Sequence, residues 1–356
     1  MKIFKKVLKW TGIVILVLIL VLVIWKFYSD RTYFDIYNPT LPLNVKVEEV
    51  KEFNDEVEAF GIKRPRQFQS IKFYYESKPK TRVPALLLLP LELKEKVPCV
   101  IFLHGIGQNK GFIHEIGGPF TEKGFAMASF DQLMQGERKI PKGTRFRGLK
   151  EAIAFYQRPR ETVNDARRLI DYLETHPDID SNRIYIVGAS YGAVTGCILT
   201  SFEKRIKASI FVVGGGNLRL MLDAPIVKAN APTWLHALAK IVLPPLLSVG
   251  DPIHYAKNTS PTPVLFMNGD QDTVVPPPAA KALFEVTGEP KEIRWYPIDH
   301  PGLREKDGLE IIRILDEGLA WLIEQDNKIK QKTVSWYRGW ESNPGHLEPQ
   351  SSALTN

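Results

Sequence analysis

Three kinds of hydrophobic pattern follow one another along this chain. The first is continuous: residues 10–25 are all uncharged, and most are Ile, Leu or Val. At ~1.5 Å per helical residue such a run covers most of a ~30 Å bilayer core, and Leu8 and Phe27 extend its edges. The second kind is a series of short apolar runs bounded by turn residues, at 70–76, 83–89, 98–103, 125–130, 183–187, 208–213, 263–268 and 292–296. Each reads as a strand, and Ser77-Lys78-Pro79-Lys80-Thr81 between the first two reads as a hairpin at an antiparallel edge. The third kind has helical spacing. Within 162–174, Val163, Ala166, Leu169, Ile170 and Leu173 share one face, and further helices are expected after Gly192, over 277–287 and over 309–324. Strands and helices that alternate, with strands apolar throughout, predict an α/β fold: a mostly parallel sheet with helices on both faces.

Two stretches depart from that alternation. Residues 217–250 are longer than a crossover needs and carry Leu220, Met221, Trp234, Leu235 and Leu238 at roughly helical spacing. They read either as a short helical cap over a cleft or as a packed insertion. Residues 326–356 lack an apolar period and are expected to be a disordered tail. The resulting organisation is a basic segment at 1–9, a membrane anchor at 10–27, a stalk and lead-in at 28–64, and one α/β domain at 65–325.

Charge fixes the direction of the anchor more than it fixes a partner. Lys2, Lys5, Lys6 and Lys9 precede the apolar run and outnumber Lys26 and Arg31 after it. The positive-inside rule then leaves the amino end in the cytoplasm and the domain on the extracytoplasmic side. Trp25-Lys26-Phe27-Tyr28-Ser29 offers no small-residue cleavage site, so an uncleaved signal anchor is expected. The net charge of +7 is scattered along the chain, which argues against a nucleic-acid partner and suits an anionic membrane face. The two cysteines, Cys99 in a strand and Cys197 in a helix, read as buried free thiols, and their spacing gives no metal site.

The chemistry concentrates at strand ends. Gly188-Ala189-Ser190-Tyr191-Gly192 lies between the apolar run at 183–187 and a helix start. A serine on so sharp a turn has a strained backbone and an outward hydroxyl, and the flanking glycines let strand and helix approach. A serine nucleophile needs a base and an acid to orient that base. Asp272, in the loop after the strand at 263–268, is the candidate acid; Asp270 reads as a turn residue. His300, after the strand at 292–296, is the candidate base. The oxyanion formed by attack needs fixed N–H donors, and the backbone of Tyr191, after the serine, and of Ile106, after the strand at 98–103, are the candidates. His104 is expected to orient that second loop.

In this order, His104-Gly105-Ile106-Gly107, the Ser190 pentapeptide, Gly269-Asp270-Gln271-Asp272 and the His300 loop resemble the α/β-hydrolase superfamily over residues 65–325. Within it the chain looks most similar to the dienelactone hydrolase, acetyl xylan esterase and prolyl oligopeptidase-like branch. The resemblance implies hydrolysis of an ester, thioester or amide through an acyl-enzyme, without a metal or organic cofactor. A carboxylesterase acting on a small or polymer-borne ester is the leading expectation. A prolyl oligopeptidase-like serine peptidase and a catalytically silent binding module of the same fold remain as alternatives.

Overall fold

The computed structural model describes residues 2–341. Residues up to Ile312 form one compact unit and those from Arg313 another. The first unit contains nine strands: β1 (Lys46–Ala59), β2 (Ile62–Lys78), β3 (Thr81–Leu89), β4 (Val97–Leu103), β5 (Ala126–Phe130), β6 (Ile179–Ala189), β7 (Ile206–Val212), β8 (Val264–Gly269) and β9 (Lys291–Tyr296). Its helices are α1 (Lys2–Thr32), α2 (Ile113–Ile116), α3 (Gly118–Glu122), α4 (Arg147–Thr175), α5 (Tyr191–Phe202), α6 (Leu218–Leu222), α7 (Pro225–Asn230), α8 (Thr233–Leu247) and α9 (Pro277–Val286). The last helix, α10 (Gly308–Glu341), begins there and runs into the second unit.

All nine strands form one sheet in the order β1-β2-β3-β5-β4-β6-β7-β8-β9. From β5 to β9 neighbours are parallel, whereas β1, β2 and β3 pair antiparallel and β3 joins β5 antiparallel. This is the expected mixed sheet with helices on both faces. Every residue of β4 is buried, and Leu103, Phe211 and Phe266 belong to a core that takes Val163, Ala166, Leu169, Ile170 and Leu173 from α4 and Ala193, Cys197 and Ile198 from α5. Cys99 and Cys197 are buried free thiols.

The order of strands also places the functional end. The chain leaves β4 for β5 on one side, then returns to β6 on the other side of β4. In open α/β sheets the crevice lies beyond the carboxyl ends of the strands where the direction of winding reverses. Here the loops that follow β4 and β6 meet at that point, and they carry Ile106 and Ser190.

Three segments differ from expectation. Residues 46–59, expected within a stalk, form β1, an edge strand; its Lys and Glu side chains are mostly exposed and protect the edge from further pairing. The helix expected from 162 begins at Arg147 and continues through Pro159. Its first half hid from the pattern because Leu149, Ile153 and Phe155 are exposed and make no core-facing stripe. The tail expected from 326 is helical to Glu341, as Asp326-Asn327-Lys328-Ile329-Lys330 contains no helix breaker and Lys328 pairs with Glu324 at 2.6 Å. The remainder of that tail, 342–356, lies outside the described residues.

Candidate active site

At the end of β6 the chain turns so sharply that Ser190 takes φ 55°, ψ −117°. A non-glycine residue there carries strain of about 1–3 kcal/mol, which the neighbours must hold in place. They do so with a hydrogen bond from Ser190 N–H to Val212 O at 2.9 Å and with two close approaches. A Cβ on Gly188 would stand 2.2 Å from Gly192 O, and one on Gly192 would stand 1.8 Å from Leu103 O. Both positions therefore exclude any side chain.

Two loops deliver the partners. Asp272 follows β8 and is buried; its Oδ1 accepts from Val274 N–H at 2.8 Å and Val275 N–H at 2.7 Å. That leaves Oδ2 for His300 Nδ1, at 2.8 Å. The opposite ring nitrogen, Nε2, lies 2.9 Å from Ser190 Oγ. The three residues singled out from sequence are thus one hydrogen-bonded chain, joined across separations of 28 and 110 residues. With Nδ1 donating to the carboxylate, Nε2 is left as acceptor for the serine hydroxyl.

Asp299, beside the histidine, was not anticipated. Its Oδ1 accepts from Thr273 N–H, Thr273 Oγ1 and His300 N–H, which ties the Asp272 loop to the His300 loop. Burial pushes its carboxyl upward, but the N–H groups of Thr273 and His300, the Thr273 hydroxyl and Arg304 outweigh it and hold it below the usual aspartate range.

The loop after β4 is held from below. His104 is fully buried, and burial lowers its pKa, so it stays neutral; its Nδ1 donates to Gly105 O at 3.0 Å. Gln132 Nε2 donates to His104 O at 2.7 Å, and Gln135 Oε1 accepts from Gly107 N–H at 3.1 Å. A Cβ on Gly105 would lie 3.3 Å from Ser190 Cβ, so this loop passes directly against the serine. Ile106 is consequently beside it, with an exposed side chain, and Tyr191 opens α5 on the other side. The glutamines escaped the sequence reading because their role depends on β5 lying next to β4. Asp131 anchors the same segment through Lys110 Nζ at 2.9 Å and Glu137 N–H at 2.9 Å. Gly136, at φ +52°, is required there, since its Cβ would fall 2.2 Å from the Asp131 carboxyl carbon.

Next to the serine is a cavity of about 260 Å³ with an almost wholly apolar lining. Ile106, Tyr191 and Val194 form its floor, Phe155, Tyr156 and Pro159 of α4 one wall, and Leu218, Met221, Leu247 and Val249 another. None of the residues of α6, α7 or α8 is buried, whereas Ala224 and Val249 beside these helices are. Two charged residues, Arg158 and Asp251, also line the cavity, and Asp251 is occupied by the N–H groups of Asn217 and Leu218, whereas Arg158 is less well satisfied. It is buried, its guanidinium lies 4.1 Å from the Tyr191 ring centroid, and its Nε and Nη2 have no hydrogen-bond partner among the described residues. No cluster of metal-ligating side chains occurs among the described residues.

This arrangement of sheet, elbow and loops defines the α/β-hydrolase fold. Family models agree: residues 43–214 match the acetyl xylan esterase (AXE1) family and residues 141–310 the prolyl oligopeptidase family. Among solved structures, the acetyl xylan esterase 1 of Thermoanaerobacterium sp. superposes with a TM-score of 0.59 at 19% identity, over 82% of this chain and 93% of that one. The acetyl xylan esterase of Paenibacillus sp. R4 gives 0.57 at 18%, over 81% and 92%. Protein bem46 of Schizosaccharomyces pombe is 24% identical over 289 residues, 80% of this chain and 84% of the relative. The chain is a member of the α/β-hydrolase superfamily, and its two overlapping halves are similar to these two families of it.

Proposed function

We propose that the protein is a membrane-anchored serine esterase in which Ser190, His300 and Asp272 are the catalytic residues. The observation that carries this reading is the continuous hydrogen-bonded chain from Asp272 Oδ2 through the His300 ring to Ser190 Oγ. Ser190 Oγ attacks the ester carbonyl while His300 Nε2 takes its proton, and the Asp272 carboxylate stabilises the imidazolium. The oxyanion is received by the N–H groups of Ile106 and Tyr191. His300 then passes its proton to the departing alkoxide, which leaves as an alcohol. A water enters and gives one proton to His300 Nε2 as its oxygen attacks the acyl-enzyme; that proton returns to Ser190 Oγ as the acid is released. The net change is ester plus water to acid plus alcohol.

The apolar cavity supports an acyl or aryl group on the substrate, and the esterase names among the similar proteins support an ester over other acyl compounds. A peptidase reading has one specific support, the prolyl oligopeptidase family match over 141–310. For the anchor, the support is helix Lys9–Thr32, whose most apolar 18-residue stretch has a mean hydropathy of 2.6 and is not buried. The charge bias across it favours an extracytoplasmic catalytic domain.

Fluorophosphonate labelling of the detergent-solubilised full chain tests the site. Labelling of the wild type that is absent in Ser190→Ala and strongly slowed in His300→Ala is expected. A folded wild type that takes no label would overturn the assignment and bring the binding-module reading forward. Paired panels of acyl esters and aminoacyl amides then separate esterase from peptidase.

A further inference from the structure

The anchor helix does not leave the catalytic body at an arbitrary place. Lys26 Nζ donates to Ser248 Oγ at 2.8 Å, Ser29 Oγ and Tyr156 OH lie 2.6 Å apart, and the Trp25 and Tyr156 rings are 5.9 Å between centroids. Ser248 follows directly on α8, and Tyr156 lines the cavity next to Ser190. The end of α1 is therefore at the rim of that cavity.

The surface around the rim is apolar, and α8 is inside out. Trp234 and Ile241 are each 69% exposed, with Leu238 and Val242 exposed between and beside them. The polar groups of the same helix face the protein: His236 Nε2 lies 2.9 Å from Leu222 O, and Lys240 Nζ pairs with Asp223 at 2.6 Å. A helix on a water-soluble surface has the opposite polarity. Across the rim, the first half of α4 exposes Leu149, Ile153 and Phe155, and just before and within it Lys142, Arg145 and Lys150 are exposed. Scattered exposed apolar residues are ordinary, but a continuous set on two elements marks an interaction face. Apolar side chains with basic residues at their border fit lipid tails and anionic headgroups. The bilayer is the occupant that the position of α1 selects, because the membrane helix ends against this very face.

We propose that α8 lies in the headgroup region of the bilayer and that the cavity opens there, so the ester it takes is membrane-dissolved, an acyl-chain amphiphile drawn directly from the leaflet. This rests on the esterase and anchor readings above. The buried thiols of Cys99 and Cys197 leave a single engineered cysteine as the accessible label site. We would reconstitute the full chain in phosphatidylcholine–phosphatidylglycerol vesicles and attach an environment-sensitive fluorophore at Ile241→Cys. Leu93→Cys is the control: it lies in the β3–β4 loop, at the end of the sheet opposite Ser190. Quenching by doxyl-labelled lipid at 241 and not at 93 is expected; equal signals at the two positions overturn the docking.

Delivery is read separately with Trp234→Ser/Ile241→Ser, two residues outside the cavity lining. We expect about tenfold lower activity on a long-chain ester dispersed in the vesicles, from the apolar area withdrawn, and less than a twofold change on a water-soluble short-chain ester. Equal effects on both esters overturn delivery from the leaflet. Failure of the wild type to hydrolyse any ester would sink the esterase reading, and failure to float with the vesicles the anchor reading. Because the quenching signal needs no catalysis, it still decides the docking when hydrolysis is absent.

Discussion

The turn around Ser190 and the surface of α8 are both made largely of small and apolar residues, yet they answer to opposite constraints. At the turn, backbone meets backbone: Gly192 against Leu103 O, Gly188 against Gly192 O, Gly105 against Ser190 Cβ. At Gly188 and Gly192 no atom can be added without moving the backbone that sets the site. On α8 nothing is buried, and six large apolar side chains between Trp234 and Leu246 face outward. Under the proposed function the first region fixes how the reaction is performed, and under the proposed docking the second governs what reaches it. Substitutions should therefore separate cleanly, with large losses at the turn and small ones on the helix.

The largest effect falls on chemistry. Ser190→Ala should lower kcat by at least ~10⁴-fold with little change in thermal stability, and His300→Ala should be comparable because the two act as one unit. Steady-state hydrolysis of a p-nitrophenyl ester measures both. Asp272→Asn should approach the same loss, since an amide that presents its NH2 to Nδ1 favours the wrong tautomer of His300. Activity near wild type in Asp272→Asn would mean that another carboxylate orients the ring.

Gly192→Ala should come next and act on folding. Its Cβ would stand 1.8 Å from Leu103 O and 2.4 Å from Leu103 C, both backbone atoms at the centre of the sheet. Relieving that overlap means parting β4 from α5, at a cost of about 3 kcal/mol or more. Chemical denaturation of the purified variant would show it, and a stability equal to wild type would contradict the close packing on which the elbow depends.

These same contacts explain what could be read from sequence. Ser190, Asp272 and His300 each end an apolar run and carry their own local turn signal, so each could be placed on a loop without knowledge of its neighbours. Their residue types then limited the roles. Gln132, Gln135, Asp131 and Asp299 carried no such signal, because each acts on a segment brought beside it only by strand order or by the meeting of two loops. The fold was legible wherever a segment faced the core. It was misread where segments face outward: β1, with its charged edge, and the first half of α4, whose apolar residues point away from the sheet. A periodicity argument assumes that apolar means inward, and α8 is where that assumption fails most completely.

A smaller effect tests the tie between the Asp272 and His300 loops. Asp299→Asn keeps the shape but weakens the acceptor shared by Thr273 and His300, and should cost about 1 kcal/mol at neutral pH. The pH dependence has a defined sign. Because the folded-state pKa of Asp299 lies below the ordinary value, its contribution is complete above about pH 3.9 and is lost as pH falls through the lower folded value. The stability difference between wild type and variant should therefore narrow on acidification. A constant difference from pH 7 to pH 3 would show that the carboxylate charge is not what holds the loops.

The smallest effect is expected on α8. In detergent, Ile241→Ser should change unfolding free energy by no more than about 0.5 kcal/mol, because the side chain is 69% exposed and has little packing to lose. Cys197→Ser, at a fully buried position in α5, introduces a hydroxyl among apolar neighbours and should cost about 1–3 kcal/mol. Denaturation midpoints of the two variants, measured side by side, sharpen the contrast. An Ile241→Ser variant as unstable as Cys197→Ser would mean that α8 is held against protein in solution and that its outward residues are structural. A stable variant leaves those residues without a role inside the fold, and their apolar character then has to be explained by what lies outside it.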